Sequence, residues 1–395
     1  MTKLARASAA LVLLAGALLL ANGRVFGDTA GSRTSWGPED GLTVGSFMPL
    51  SGVIAVYGQS SNRGMGMAVE EINAKGGVLD GRKLHLVVED SQGKPESSIN
   101  AAIRLMDGKG AKILVGEVAS SCSLAVAPIC QQRGIPMLTP GSTHPAVTAK
   151  GDFVFRSCFD DDQQAAFIAK FALSKGYRKG VVLRDTESDY SKGLDTVITE
   201  RFTAGGGKIL ASLGYTQKQH GFSVILTEVK EKQPDVVFIP GYYEQAGLII
   251  KAAREQGITA AMVGGDGWDS PVLSLIAGAC LDQDCYFINH FSKDDPRPKV
   301  QDFFKGFKER YEEDPDALAA CAYDAIYLVA DAIGRAGSFK PPALRDALAQ
   351  TREFEGVTGR IALDAQRNAL KPCVVLGFKG GRQFLATTLS PSDLP

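Results

Sequence analysis

The stretch Gly264-Gly265-Asp266-Gly267-Trp268-Asp269-Ser270 brackets a carboxylate with glycines, beside one of the chain's two tryptophans. It follows the apolar run 260–263, which puts the acid in a tight turn at the carboxyl end of a predicted strand. Open α/β sheets hold their ligands there. Glu117-Val118-Ala119-Ser120-Ser121 and Thr139-Pro140-Gly141-Ser142-Thr143 end two further apolar runs in the same way. Ser120, Ser121 and Ser123 stand where a helix over 124–133 should begin, and its free N–H groups, dipole and hydroxyls suit a carboxylate. In the other turn Pro140 and Gly141 fix the backbone, while Ser142 and Thr143 add hydroxyls that donate and accept. Asp266 offers the negative partner for an ammonium. Tyr57, Tyr190 and the pair Tyr242-Tyr243 each follow a strand's carboxyl end, where phenol rings make walls for a small organic ligand. Taken singly, each feature reads equally as N-capping, packing or a surface acid. Their combination points to one small polar ligand.

Catalytic patterns are weak by comparison. The four histidines (His85, His144, His220 and His290) are scattered, with no metal-ligand spacing. There is no G-x-S-x-G elbow, no P-loop and no dinucleotide fingerprint, so no cofactor or metal is expected. Cys122 beside Ser120 and Ser121 is the one nucleophile candidate.

The 395 residues carry 43 basic and 44 acidic side chains, for a net charge of −1. No broad attraction to nucleic acid or membrane follows. At 45% apolar and 22% charged, the composition is that of a globular protein long enough for two domains. Lys3 and Arg6 precede an apolar run over 9–21 and then small residues, the order of an export signal. A signal peptide over 1–27 is expected, then a polar linker over 28–42. No later segment reads as a membrane span. In an oxidising compartment seven cysteines invite pairing; Cys280 and Cys285 are the nearest candidates for a disulfide.

The elements that must position these turns alternate. Strands are predicted at 42–48, 84–90, 112–116 and 135–138, with helices between them, and 153–156 is a short strand outside that rhythm. A second strand–helix series runs from 180 to 263. This βα repetition predicts an α/β fold of two Rossmann-like lobes, each with a parallel sheet. Lobe 1 is expected over 43–157 and 288–357, lobe 2 over 158–287 and 358–388, with a multi-strand hinge between them and a tail at 389–395.

Val44-Gly45-Ser46-Phe47-Met48-Pro49-Leu50-Ser51-Gly52, followed by 68–77, resembles the opening of the leucine/isoleucine/valine-binding proteins. Further matching pieces are 116–123, 138–143, Asp189-Tyr190-Ser191-Lys192-Gly193, 241–244 and 264–267. The resemblance spans about residues 43–388. It implies the type I periplasmic-binding fold and a periplasmic, monomeric, non-enzymatic component of an ABC importer. Its partners would be membrane permease subunits and an amino-acid-like ligand. Ser120 and Thr143 would then bind the ligand carboxylate, and Asp266, Thr143 and the Gly141 carbonyl its ammonium. Tyr57, Tyr190 and Tyr242 would line or close the cleft. Asp266 stands where relatives often carry Glu, and Trp268 is expected to fill space at the ligand's side chain. Relatives of this kind also carry amides, urea or aromatic acids. A ligand sensor of the same fold, or a secreted enzyme using Asp266 and Cys122, are the alternatives.

Overall fold

A computed structural model describes residues 41–394. The expected signal peptide and nearly all of the expected linker lie outside the described residues.

In the first lobe, strands and helices alternate as β1 (Gly41–Met48), α1 (Ala55–Ala74), β2 (Lys83–Asp90), α2 (Pro95–Ile103), β3 (Ile113–Gly116), α3 (Ser120–Arg133), β4 (Met137–Thr139) and β5 (Val154–Arg156). The strands form one parallel sheet in the order β2-β1-β3-β4-β5. The segment 153–156, read from sequence as standing outside the rhythm, is therefore the sheet's fifth strand. Its register, Thr139 opposite Arg156, is set by the same carboxyl-end alignment as its neighbours.

The chain then crosses over and repeats the pattern. It runs through α4 (Asp161–Ser174), β6 (Lys179–Asp185), α5 (Asp189–Ala204), β7 (Lys208–Tyr215), α6 (Ser223–Lys232), β8 (Val236–Ile239), α7 (Tyr243–Glu255), β9 (Ala261–Gly264), α8 (Pro271–Ala277) and β10 (Cys285–Asn289). Every residue of β3, β8 and β9 is buried, as parallel strands covered on both faces require.

After β10 the chain returns to the first lobe with α9 (Pro298–Tyr311), α10 (Ala317–Ala336) and α11 (Pro341–Ala349). Helix α10 reaches the length and apolar character of a membrane span, which the sequence reading did not allow for, yet it is a core helix packed on α1 and α11. Asp316 caps it by accepting the Ala319 N–H at 2.8 Å.

Residues 358–388, expected wholly in the second lobe, divide. A small sheet of β11 (Phe354–Gly356), β12 (Gly359–Leu363) and β13 (Ala369–Leu370) is tied to first-lobe groups. Asp324 of α10 accepts the Val357 and Thr358 N–H groups, and Asn368 accepts from Thr148. Only β14 (Cys373–Lys379) and β15 (Arg382–Leu389) join the second sheet, antiparallel, at the β10 edge. Its order is β15-β14-β10-β9-β8-β6-β7.

In both sheets the order reverses next to the first strand of the series. Those switch points, between β1 and β3 and between β6 and β8, open a crevice at the carboxyl ends of the strands.

Helices α1 and α10 meet at Gly64, where a Cβ would fall 2.1 Å from the Ala319 carbonyl oxygen. The close approach depends on the missing side chain. Gly64→Ala is expected to lower stability by about 1–3 kcal/mol in urea unfolding, because overpacking outweighs alanine's better helix propensity. An unchanged or higher midpoint would show that the helices can separate without loss.

Candidate functional site

In the first lobe, Glu117 organises both sequence-predicted turns. Its side chain accepts the Ala119 N–H at 2.6 Å and the Ser91 hydroxyl. Its carbonyl accepts the hydroxyls of Thr139 at 2.6 Å and Ser142 at 2.8 Å. Arg156, wholly buried at the end of β5, donates to the carbonyls of Ser142 at 3.0 Å and His144 at 2.7 Å. These bonds fix the loop that carries Gly141 and Thr143.

In the second lobe, Asp266 follows β9 in one turn of 3₁₀ helix. Its Oδ1 accepts the Tyr190 hydroxyl at 3.0 Å, and its Oδ2 faces His290 Nε2 at 3.1 Å. Its own N–H donates to Gln164 Oε1 at 3.0 Å. Burial, outweighing the nearby Asp266, pushes His290 down to about 4. The imidazole is therefore neutral at physiological pH and serves Asp266 as a hydrogen-bond donor. Asp161, at the start of α4, is a second acid at this place. Burial holds its carboxyl well above the usual range; Thr143 opposes that shift and Asp266 adds to it. Both Asp161 oxygens, Thr143 Oγ1 and Gln164 Nε2 are buried without a hydrogen bond of ordinary geometry.

The lobes are closed on each other. The Tyr57 hydroxyl donates to the Gly267 carbonyl, and the Tyr243 hydroxyl donates to the Val53 carbonyl at 2.9 Å. The Asp189 N–H donates to Ser121 Oγ at 3.3 Å. Between them lies a small pocket. Ile54, Tyr57, Val118, Ala119, Gly141 and Leu318 line it from the first lobe; Tyr190, Tyr242, Asp266 and Gly267 line it from the second. Tyr190 and Tyr242 stack with ring centroids 5.5 Å apart, and Tyr57 meets Tyr242 edge-on at 5.8 Å.

Of the residues singled out in the sequence, Tyr57, Gly141, Tyr190, Tyr242 and Asp266 face this cavity. Ser120 and Thr143 are buried in the turns that form its wall, and Ser120 Oγ accepts the His144 N–H at 3.3 Å. Helix α3 begins at Ser120, with Ala119 in the capping position and no side-chain cap, so the serines occupy the first turn. Ser121 bridges the lobes rather than entering the cavity. Ser142 points away from it, toward Ser123 and the Glu117 carbonyl.

Trp268 corrects the sequence reading. It is fully buried outside the cavity, its indole N–H donating to the Ile239 carbonyl at 3.0 Å and its ring packing on Phe287. The 3₁₀ turn directs it away from the side that Asp266 faces.

Cys280 and Cys285 are not bridged: both are free thiols, and Cys285 Sγ points at the Cys280 and Gln283 carbonyls. Cys122 is buried, and burial raises its thiol pKa, which removes the thiolate a nucleophile needs. Sequence reasoning missed Glu117, Arg156, Asp161, Gln164 and His290, whose value lies in contacts between distant segments. It also missed the apolar wall of Ile54, Val118 and Leu318.

Two lobes, each built on parallel strands and closing carboxyl-end turns on a shared pocket, define a two-lobed solute-binding protein of the type I kind. Residues 41–377 match the periplasmic binding protein family, and the chain belongs to it. It is 30% identical over 345 residues to Leu/Ile/Val-binding protein homolog 2 of Brucella abortus, covering 86% of this chain and 91% of that one. Among solved structures, the leucine-binding protein LivK of Thermotoga maritima matches with a TM-score of 0.85 at 35% identity, over 89% of this chain and 100% of that one. The branched-chain amino acid binding protein LivJ of Streptococcus pneumoniae, solved with isoleucine, matches with a TM-score of 0.82 at 30% identity, over 88% and 98%. Membership places the protein outside the cytoplasm.

Burial pushes the Glu117 carboxyl from its ordinary 4.5 up to about 7. The folded state therefore holds a proton that the unfolded state releases. The stability gained from this is full below about pH 4.5 and lost as pH rises through about 7, a span of about 3 kcal/mol. Urea midpoints should fall between about pH 5 and 8, and Glu117→Gln, which can still accept the Ala119 N–H, should remove part of that fall. Equal slopes for the two proteins would place the ionisation elsewhere.

Proposed function

We propose that the protein captures a zwitterionic amino acid with an aliphatic side chain and delivers it to an ABC permease. The observation that carries this reading is one carboxylate set opposite the start of α3 and the Gly141 turn across a pocket between the lobes. Asp266 lies on one wall, and Ala119 and Gly141, from the hydroxyl-bearing turns, lie on the other. A ligand ammonium would sit at Asp266, with Thr143 and the Gly141 carbonyl as further partners. Its carboxylate would take the free N–H groups and the Ser120 hydroxyl at the start of α3. Ile54, Val118 and Leu318 would receive the side chain. The names of the relatives, which speak of leucine, isoleucine and valine, agree with an aliphatic ligand.

Function without chemistry on the ligand follows from this arrangement: Asp266 pairs a charge, and the buried Cys122 stays protonated. A signal peptide over 1–27 would route the chain out of the cytoplasm, and the protein would work as a monomer, one lobe pair per ligand. Both lobes must touch the ligand for it to favour closure, and this site meets that condition.

Titration calorimetry with L-leucine and with 4-methylpentanoate, the same skeleton without the ammonium, tests the reading. Asp266→Asn should weaken leucine binding by about a hundredfold, equivalent to about 2.7 kcal/mol, and change 4-methylpentanoate binding far less. Equal losses for both ligands would make Asp266 a structural acid. Failure of every amino acid to bind the unaltered protein would remove the ligand class.

A further inference from the structure

A second acid in the Asp266 segment makes a contact of another kind. Asp269, on the second lobe, is buried, and its Oδ2 accepts the Ala317 N–H at 2.7 Å. Ala317 is the first residue of α10, on the first lobe, so the bond spans the cleft. Asp269 Oδ1 accepts from Gln383 of β15 at 3.0 Å. The residue before Ala317 is Asp316, which accepts the Ala319 N–H at 2.8 Å and the Ser60 hydroxyl at 2.6 Å, both first-lobe groups. Two carboxyls, one from each lobe, thus meet at a single helix N-terminus.

We infer that Asp269 is a positioning residue for capture: it never touches the ligand, but holds the lobes shut by binding the α10 N-terminus across the cleft, beside the buried Asp316. The helix end suits one negative charge and not two.

Among the described residues neither carboxyl has an ion-pair partner within 4.0 Å. The pair borders an open pocket also lined by Lys293, Asp294, Glu313, Asp314 and Arg382. Lys293 lies 3.8 Å from Asp314, and Glu313 pairs with Arg63. Asp294 accepts the Leu385 N–H, and Arg382 sits at the exposed start of β15. Asp266, one turn earlier, adds negative charge toward Asp269. Asn289 and Gln383 are the neutral donors that face it. Burial, reinforced by Asp269, pushes Asp316 up to about 7, and burial raises Asp269 as well.

Opening the cleft separates the two carboxyls and returns them toward ordinary values, so the closed form holds more protons than the open one. Closure is then strongest in acid, weakens by up to about tenfold per pH unit as pH rises toward about 7, and levels off above it.

Hydrogen exchange at the Ala317 amide, expressed as a protection factor in the ligand-free full chain, reads this contact directly. Asp269→Ala should reduce protection about tenfold or more at about pH 6 and at about pH 8. The unaltered protein should lose protection between those pH values, and Asp316→Asn should flatten that loss. Asp269→Asn, which keeps an acceptor for Ala317, should retain protection without its pH dependence, and so decides the matter even if the alanine variant folds poorly. Unchanged protection in Asp269→Ala, or an unchanged pH dependence in Asp316→Asn, overturns the inference. In parallel, L-leucine should dissociate faster from Asp269→Ala. If leucine fails to bind the unaltered protein, the proposed ligand class falls, while Ala317 protection still tests the contact.

Discussion

A carboxylate taken out of water must be hydrogen-bonded or neutralised. Asp266 is the place where this constraint shapes the second lobe. Its partners come from α4, α5 and the segment after β10, none of them neighbours in sequence. Tyr190 and His290 hold the two oxygens, while Gln164 anchors the backbone of the turn. A neutral His290 orients the acid without cancelling its charge, and the charge stays free for a ligand. Arg156 plays the complementary part in the first lobe, using a buried cation to gather the carbonyls of Ser142 and His144. Asp266 thus gathers its partners in one lobe, as Arg156 and Glu117 do in the other.

The contacts that shut the cleft share a feature. Tyr57 to Gly267, Tyr243 to Val53, Asp189 to Ser121 and Ala317 to Asp269 each use a main-chain group on one side. Main-chain groups stay where the sheets put them, so the closed geometry is set by the fold rather than by rotamers. Each bond contributes about 1 kcal/mol net, because opening returns its groups to water. Such contacts define the closed state without locking it. On the function proposed above, a ligand bridging Asp266 and the Ala119–Gly141 wall would supply the differential affinity that decides the population.

The strand–helix alternation and the two-lobed α/β fold were legible in the sequence because fully buried parallel strands write themselves as apolar runs between helical periods. Asp266, Tyr242 and Gly141 stood out for a related reason: they follow such runs within three residues, and Tyr57 and Tyr190 lie in the first turn of the helix that comes next. What stayed hidden depends on direction or on distant pairing. Ser142 lies between Gly141 and Thr143, yet its hydroxyl turns back to Glu117. His290 reads as a scattered histidine, and neither it nor Asp161 points to Asp266 until α4 and the crossing after β10 bring them there. The proximity of Cys280 and Cys285 suggested a bridge, but the local backbone aims Cys285 Sγ at carbonyls instead.

Trp268 shows how such a misreading relocates specificity. At Gly264 a Cβ would come within 2.1 Å of the indole, so the ring lies directly against the backbone of β9. The tryptophan thereby props the turn that presents Asp266 and takes no part in the cavity wall. The aliphatic surface available to a ligand is Ile54, Val118 and Leu318, and all three belong to the first lobe. The second lobe contributes Asp266, the Gly267 backbone and two tyrosine rings. On the function proposed above, choice of side chain and recognition of the ammonium are therefore made by different lobes. A change in Ile54 or Leu318 can alter which amino acid fits while leaving the charge recognition at Asp266 intact.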